Sequence, residues 1–297
     1  MTVPGPVRAS VEAALRALHG ETTALTGSAA VGGGCISPTA RVETDAGPFF
    51  LKWGGSDLPA GLLAAEARGL RQLADAGEVR VPDVVAESAK PGWLLLEWLE
   101  PGRQTPDTWA RLGVELAALH HHQDARFGAD ADNFIGSLPQ ANVRTDDWPV
   151  FWRDQRLAPQ LHQALDRGLL DDSDRRRFDR LFHRLPELLA VGNDEGPSLL
   201  HGDLWSGNVH VTANRAAIID PSVYYGHREV DLAMAELFGG FGPGFRASYD
   251  DAWPLAPGYA PTRRAIYQLY YLLVHVNLFG SGYVSRTRSA LARVGVD

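Results

Sequence analysis

The residues best suited to chemistry in this chain lie in one short run at positions 201–208, His-Gly-Asp-Leu-Trp-Ser-Gly-Asn. Asp203 and Asn208 are five positions apart, a spacing typical of the loop that moves a phosphoryl group from ATP to a hydroxyl. In that chemistry the Asp accepts the proton of the attacking hydroxyl, and the Asn oxygen binds Mg²⁺. The run therefore predicts a catalytic base at Asp203 and a metal ligand at Asn208.

A second carboxylate follows twelve residues later. Residues 209–211 and 216–219 form a predicted hairpin, and its second strand ends at Asp220. Mg²⁺ prefers one or two carboxylates together with phosphate oxygens and water, so Asn208 and Asp220 suffice as protein ligands. The alternative is that Asp203 and Asp220 are ordinary loop and turn residues with capping roles.

The segment before the catalytic run offers groups for the nucleotide. Three successive glycines, Gly32, Gly33 and Gly34, precede Cys35, and a flexible loop there could bring backbone N–H groups against phosphates. A triple Gly is weak evidence alone, since most are ordinary turns. Lys52 follows at the end of the strand over residues 48–53, where its ammonium could reach the same phosphates. Otherwise Lys52 would be a solvated edge residue.

Glu66 links this lysine to a helix predicted over residues 59–76. Positions 62, 66, 70 and 73 share one helix face, which places Glu66 within a leucine stripe. A carboxylate there is costly unless it is paired, and Lys52 is the obvious partner. The alternative is that Glu66 lies at the edge of the stripe and pairs with Arg71 or solvent.

Two further stretches have weaker signals. The backbone of Glu97, Trp98 and Leu99, between a strand over 93–98 and the Pro-Gly at 101–102, is expected to hydrogen-bond adenine. The three histidines at 120–122 resemble a metal cluster, but they end a helix, and consecutive helical residues do not share a face. A favourable position at the helix dipole is the preferred interpretation of this run.

The element pattern changes near residue 100. Before it, the sequence predicts a helix over 6–19, strands over 40–44, 48–53, 82–85 and 93–98, and the helix over 59–76. After it, long helical patterns dominate, over 108–121, 152–167, 174–191 and 262–279. We therefore predict an α+β, two-lobed protein with a small β-rich nucleotide-binding lobe (1–99) and a larger, mainly helical catalytic and substrate-binding lobe (100–297).

Bulk properties narrow the function classes. The 297 residues have a formal net charge of −8 and no basic run, which argues against a nucleic-acid partner. The longest apolar-rich stretch, residues 266–278, contains polar residues and is too short to span a bilayer, so no membrane role is expected. The single cysteine excludes an internal disulfide, and the N-terminus lacks a signal-peptide pattern. A cytoplasmic location is expected.

With these motifs in view, the chain resembles the fructosamine kinase (ketosamine 3-kinase) family and, more broadly, aminoglycoside and choline kinases. The resemblance spans nearly the whole chain and implies a protein-kinase-like fold. Beyond residues 201–208, it rests on the matching stretches 32–36, 50–52, 133–137, 147–157, 220–241 and 277–283. Generic kinases have Phe-Gly after the metal-binding Asp, whereas Pro221-Ser222 follow here, as in the ketosamine family. Activation by a flipping Phe is therefore not expected.

The resemblance also implies roles for individual residues. Asp203 would be the base, Asn208 and Asp220 the Mg²⁺ ligands, and Lys52 with Glu66 the phosphate-binding pair. His201 and Asp231 would support the catalytic loop, although Asp231 has simple N-capping as an equally good interpretation. Trp205 would face the acceptor sugar, unless it is a buried core aromatic.

The implied reaction is transfer of the ATP γ-phosphoryl group to the 3-hydroxyl of a ketosamine, a glycated amine, in protein deglycation repair. Three alternatives remain open: a kinase of another amino-alcohol such as an aminoglycoside or choline, a non-catalytic nucleotide-binding module, and a structural protein. The sequence does not identify the sugar.

Cys35 suggests a redox partner. A thiol on an open phosphate loop near Lys52 is expected to be accessible, and a Cys35–Cys35 disulfide between two chains would slow phosphoryl transfer reversibly. The alternative is a small buried residue without redox chemistry.

Overall fold

The N-terminal part of the chain is an antiparallel five-stranded sheet in the order β1-β2-β3-β5-β4. The computed structural model describes residues 2–20, 22–32, 37–55, 58–213 and 215–295. The strands are β1 (Leu25–Ala30), β2 (Thr39–Thr44), β3 (Gly47–Trp53), β4 (Val84–Ala89) and β5 (Gly92–Glu97). Two helices accompany them, α1 (Gly5–His19) and α2 (Leu62–Ala76).

The two helices cover opposite faces of the sheet because neighbouring residues of a strand point to opposite sides. On β5, Leu95 packs in the cluster that contains the valines of α1, whereas Leu94 and Leu96 pack in the cluster that contains the leucines of α2. Lys52 is the cross-strand partner of Leu94 and therefore shares its face. The sheet thus aims Lys52 at α2, the helix that carries Glu66.

The rest of the chain is mainly helical. Its helices are α3 (Pro106–His120), α4 (Trp148–Phe151), α5 (Ala158–Asp166), α6 (Asp172–Leu188), α7 (Ala190–Glu195), α8 (Glu229–Phe238), α9 (Phe245–Ala252), α10 (Arg264–Phe279) and α11 (Val284–Arg293). Three two-stranded ribbons join them, formed by β6 (Asn133–Ile135) with β7 (Leu138–Gln140), β8 (Ser198–Leu200) with β11 (Tyr224–Gly226), and β9 (Val209–Val211) with β10 (Ala216–Ile218). This is the predicted two-lobed α+β arrangement.

Several elements were absent from the sequence prediction. The sequence prediction missed five strands and two helices, which are β1, β6, β7, β8, β11, α9 and α11. Four of these five strands have only three residues, too few to show an alternating pattern, and β1 is largely exposed and contains a glycine. Their pairing is decided by distant parts of the chain.

Two predicted helices contain a π-helical turn, and a proline explains the first of them. The helix predicted over 152–167 is a π-helical turn (Trp152–Leu157) followed by α5, and the one predicted over 262–279 begins with a similar turn (Tyr259–Arg263). Pro159 has no N–H to donate to the preceding turn, which loosens the ladder there. The freed carbonyl of Gln155 accepts a hydrogen bond from the Arg156 guanidinium at 3.0 Å.

The joint between the two parts lies between the end of β5 at Glu97 and the start of α3 at Pro106. The division at residue 100 itself stays a prediction. Among the described residues, no helix has the length and apolar character that crossing a membrane requires.

A buried ion pair anchors the start of α8, and its removal tests how much the helical part depends on it. Arg263 Nη2 lies 2.6 Å from Glu229 Oε1, and neither side chain is more than 7% exposed. We expect Glu229→Ala to lower the free energy of unfolding by about 3–5 kcal/mol, because it leaves a buried guanidinium without its counter-ion. Urea denaturation measures the change.

Arg71→Ala is the matched control. The Arg71–Glu87 pair has the same 2.6 Å separation, but the Arg71 side chain is 48% exposed. Loss of the Arg71–Glu87 pair should lower the free energy of unfolding by only about 0–1 kcal/mol, because water screens a surface ion pair. Equal losses in the two variants would contradict the assignment of this stability to burial.

Candidate active site

The catalytic run forms a tight loop directly after β8. Gly202 has a φ of +83°, and a Cβ placed on it would lie 2.1 Å from the carbonyl oxygen of Ser222. Only glycine fits this position, because it accepts the left-handed conformation and has no side chain to displace the neighbouring segment. The loop therefore packs backbone to backbone against the residues that follow Asp220.

The buried carboxylate of Asp231 fixes the backbone of this loop through hydrogen bonds. Asp231, in the first turn of α8, accepts hydrogen bonds from the backbone N–H groups of His201 at 2.8 Å and Gly202 at 2.9 Å. His120 donates its Nε2–H to the same carboxylate at 3.2 Å, and its Nδ1 accepts from the Tyr249 hydroxyl at 2.8 Å. Burial lowers the pKa of His120, which keeps the ring neutral in this arrangement. The sequence prediction missed the role of His120.

His201 connects the loop to the strand end that carries Asp220. Its Nε2 lies 2.9 Å from the carbonyl oxygen of Ile219, which can only accept, so Nε2 carries the hydrogen. Its Nδ1 is then the acceptor for the Asp203 N–H at 3.2 Å. Burial lowers the pKa of His201 and favours this neutral tautomer. Tyr271 completes the clamp by donating its hydroxyl to the Gly202 carbonyl at 2.7 Å.

Asp203 and Asn208 meet as their spacing predicted. The Asn208 amide donates its Nδ2 hydrogens to the Asp203 backbone carbonyl at 2.9 Å and to its Oδ2 at 3.2 Å. This orientation leaves Asn208 Oδ1 available as a ligand. Burial, reinforced by the charge of Asp220, raises the pKa of Asp203 to about 7. A carboxyl with that pKa is suited to accept a proton near neutral pH.

Asp220 stands in a strained backbone conformation. Its φ of +56° makes it the one non-glycine residue with positive φ in the described part of the chain. Such a conformation costs about 1–3 kcal/mol and persists where its surroundings impose it. The flanking residues are fixed by hydrogen bonds from Ile219 N to the Asn208 carbonyl at 2.9 Å and from Ser222 N to the His201 carbonyl at 2.8 Å.

Lys52 brings the two lobes together at this aspartate. Its Nζ lies 2.7 Å from Glu66 Oε1 and is also hydrogen-bonded to Asp220 Oδ1. Burial lowers the pKa of Lys52, but the charges of Asp220 and Glu66 outweigh this effect and raise it. Burial raises the pKa of the Glu66 carboxyl, and the Lys52 ammonium opposes that rise. The alternative partner Arg71 is instead paired with Glu87 at 2.6 Å.

The oxygen donors around Asp220 suit a hard cation. Asn208 Oδ1 has no other partner in the described part of the chain, and the Asp220 side chain is 38% exposed. One amide oxygen and one carboxylate, completed by phosphate oxygens and water, match the ligand preference of Mg²⁺. The predicted ligands therefore fit the metal chemically.

A buried network of three amides lies beneath the segment after Asp220. Asn133 donates to the Val223 carbonyl at 2.9 Å, and its Oδ1 accepts from Gln140 at 2.7 Å and Asn142 at 2.9 Å. Arg156 fixes the orientation of Asn142 by donating to its Oδ1 at 2.7 Å. The sequence prediction found no individual role for these residues.

Arg156 is unusual because its guanidinium is fully buried and has no ion-pair partner among the described residues. Its charge is stabilised by aromatic faces and carbonyl oxygens instead. The guanidinium carbon lies 4.0 Å from the ring centre of Tyr224 and 4.6 Å from that of Phe151. A rigid base of this kind limits movement of residues 221–223.

Trp205 lies at the edge of the catalytic loop and is half-buried. Its ring covers Gly207, where an added Cβ would come within 2.2 Å of it, and meets Phe238 edge-on at 6.4 Å between centroids. Phe238 in turn contacts His275, at 4.8 Å. The Trp205 side chain is neither fully buried nor fully exposed, so part of its indole is available to a bound molecule.

The remaining predicted residues are placed as follows. Glu97 binds Arg80 through both carboxylate oxygens. The guanidinium carbon of Arg41 lies 4.9 Å from the ring centre of Trp98. Gly32 is exposed, whereas Gly33, Gly34 and Cys35 lie outside the described residues. The phosphate-loop role of these residues stays a prediction, and the Cys35-linked homodimer has no support from the structure.

The histidine run divides into three separate environments. His120 is buried against Asp231, His121 stacks on Trp253 with centroids 4.0 Å apart, and His122 lies 3.4 Å from Glu78. No group of three or more potential metal ligands among His, Cys, Asp and Glu occurs in the described part of the chain.

Comparison with known proteins agrees with this geometry. The fructosamine kinase family model matches residues 7–295. A Synechocystis protein named as a probable ketoamine kinase is 39% identical over 267 residues, which is 88% of each chain. The chloroplastic protein-ribulosamine 3-kinase of Oryza sativa subsp. indica is 38% identical over 279 residues, covering 92% of this chain and 80% of the relative.

A solved structure shows the same architecture. The crystal structure of a Thermobifida fusca protein assigned as a fructosamine-3-kinase has 37% sequence identity and a TM-score of 0.86, covering 97% of this chain and 99% of its own. Sequence and fold agree over nearly the full length, and the chain belongs to the fructosamine kinase family.

Proposed function

We propose that this kinase transfers the γ-phosphoryl group of ATP to the 3-hydroxyl of a ketosamine, a fructosamine or a ribulosamine. The observation that carries the proposal is the assembly at the cleft: Asp203 bonded to Asn208, and Asp220 bonded to Lys52. Family membership supports the acceptor class, since its relatives are named ketoamine kinases and protein-ribulosamine 3-kinases.

The chain's own groups divide the work of the reaction. Asp203 orients the acceptor hydroxyl and takes its proton as the new O–P bond forms and the bond from the γ-phosphorus to the β–γ bridging oxygen breaks, leaving ADP. Lys52, held by Glu66 at 2.7 Å, presents a permanent positive charge to the phosphates. Asn208 and Asp220 would hold Mg²⁺, which neutralises phosphate charge when it is bound.

Trp205 supports a sugar acceptor next to the base. It lies two residues after Asp203, and its half-exposed indole stands beside Phe238. Flat aromatic faces bind the apolar face of sugar rings and exclude water from the reacting hydroxyl.

The product gives this reaction a purpose in deglycation. A phosphate on carbon 3 is a better leaving group than a hydroxyl, so the adduct can eliminate it and release the free amine. A cytoplasmic location stays a prediction.

The rival acceptors are aminoglycosides, choline and other amino-alcohols. Relatives at 38–39% identity over most of the chain carry the ketoamine and ribulosamine names, which favours ketosamines. A non-catalytic nucleotide-binding module is disfavoured because the base, the lysine–glutamate pair and both predicted metal ligands are all in place.

The acceptor class is tested by ADP release from parallel reactions with fructoselysine, ribuloselysine, kanamycin and choline. We expect turnover with one or both ketosamines and background rates with the other two. The Asp203→Asn variant is the control, because it keeps the shape of the side chain but loses the base, and its turnover should fall roughly 10²–10⁴-fold. Turnover confined to kanamycin or choline would refute the ketosamine assignment.

The metal site is tested at Asp220. Asp220→Asn should raise the Mg²⁺ concentration needed for half-maximal turnover and lower the maximal rate at least about 10²-fold, because a neutral amide replaces the anionic ligand. Lys52→Ala should reduce turnover even at saturating Mg²⁺. An Asp220→Asn enzyme with an unchanged Mg²⁺ titration would show that the metal lies elsewhere.

The acceptor wall is tested at Trp205. Trp205→Ala should raise the apparent KM for the ketosamine by a factor corresponding to about 1–3 kcal/mol of lost stacking and buried area. The KM for ATP, measured in the same variant, should change much less. Unchanged ketosamine kinetics would place Trp205 among the core residues.

A further inference from the structure

The backbone carbonyl of Leu99, in the segment that joins the lobes, is already engaged by a side chain from the helical part. His210 Nε2 lies 2.9 Å from this oxygen. A carbonyl oxygen can only accept, so Nε2 carries the hydrogen and donates it. No sequence motif assigned a role to His210.

The local packing explains how His210 reaches the joining segment. His210 is the central residue of β9, which begins directly after Asn208 of the catalytic loop. The Gly102 N–H donates to the Val211 carbonyl at 2.7 Å, and a Cβ on Gly102 would lie 2.1 Å from the backbone of Thr212. The chain after Leu99 therefore runs in direct contact with β9, within reach of an imidazole.

The hydrogen bonds within the described part of the protein involve the carbonyl of Leu99 but not its N–H. Its carbonyl already accepts one hydrogen bond, from His210, whereas no described residue accepts a hydrogen bond from its N–H. Nearby, the Glu97 N–H is used by the Asp83 carbonyl at 2.9 Å. A base lying along this segment therefore meets a free donor at Leu99 and a carbonyl oxygen that already uses one of its two lone pairs.

This pattern distinguishes the two common purines. Adenine presents an unprotonated N1, which accepts from an N–H, beside an amino group. Guanine presents a carbonyl and an adjacent N1–H instead, so when its carbonyl accepts from the Leu99 N–H, its N1–H needs a neighbouring acceptor such as the Leu99 carbonyl. A site that leaves a buried donor or acceptor of the ligand unpaired discriminates against that ligand.

We propose that His210 is a specificity-determining residue that favours ATP over GTP by competing with the purine for the Leu99 carbonyl. The proposal rests on the proposed function and on the sequence-based prediction that the purine lies against the backbone of Glu97, Trp98 and Leu99. Its role differs from that of the catalytic loop: His210 acts on the choice of nucleotide and not on the chemical step.

The test compares kcat/KM for ATP and GTP, each with Mg²⁺ and fructoselysine or ribuloselysine, whichever is turned over. We expect the wild type to prefer ATP. His210→Ala frees the Leu99 carbonyl, and the ATP-to-GTP ratio should fall roughly three- to tenfold, mainly through a lower KM for GTP. His210→Gln, whose amide can donate to the same carbonyl, should retain most of the preference.

His183→Ala is the matched control, since His183 also hydrogen-bonds a backbone carbonyl, that of Asp179 at 2.7 Å, but lies on α6. The ratio of kcat/KM for ATP to that for GTP in His183→Ala should equal that of the wild type. A wild type indifferent to the purine, or a His210→Ala enzyme whose ratio is unchanged, would overturn the proposal.

The preference for ATP over GTP can also be measured by binding, without turnover. The thermal shift caused by non-hydrolysable ATP and GTP analogues should show the same preference in the wild type and the same loss in His210→Ala. If neither ketosamine is phosphorylated but the analogues still discriminate, the acceptor assignment fails and the role of His210 stands. Equal shifts from the two analogues in both proteins would overturn that role.

Discussion

The active site depends on one buried ammonium shared by two carboxylates. Lys52 is only 7% exposed and contacts Glu66 from α2 and Asp220 from the end of the β9–β10 ribbon. The charges of Lys52 and Glu66 are buried, which is expensive and is tolerated only where each charge has close partners, whereas Asp220 is 38% exposed. Because those partners come from both lobes, this interaction couples the position of the sheet to that of the catalytic loop.

The helical lobe must in turn hold Asp220 in a conformation that its backbone disfavours. The loop and the segment that carries Asp220 are tied to each other through Gly202, His201 and Ser222, and Asp231 anchors the loop to α8. Below them, Arg156 and the amide network limit movement of residues 221–223. The strain at Asp220 is thus offset by contacts made elsewhere, as is common where geometry serves chemistry.

These contacts also describe how the site is organised for catalysis. Pro221 and Ser222 stand where generic kinases have Phe-Gly, and Ser222 is fixed by hydrogen bonds from its N–H and its hydroxyl. Asp203 contacts Asn208, and Lys52 contacts Asp220. Contacts of this kind fix the orientation of the proposed catalytic groups relative to their neighbours.

The sequence by itself determined the features that depend on neighbours along the chain. The five-residue spacing of Asp203 and Asn208, the hairpin that returns Asp220, and the place of Glu66 within a leucine stripe all follow from local geometry, and the main helices follow from their periodicity. Tertiary structure decided the rest, because those contacts join residues far apart. Lys52 and Asp220 are separated by 168 positions, and His210 and Leu99 by 111. The short strands, the φ of Asp220, the role of His120 and the buried position of Arg156 likewise have no local pattern, since each is imposed by packing from elements that the chain brings together only on folding.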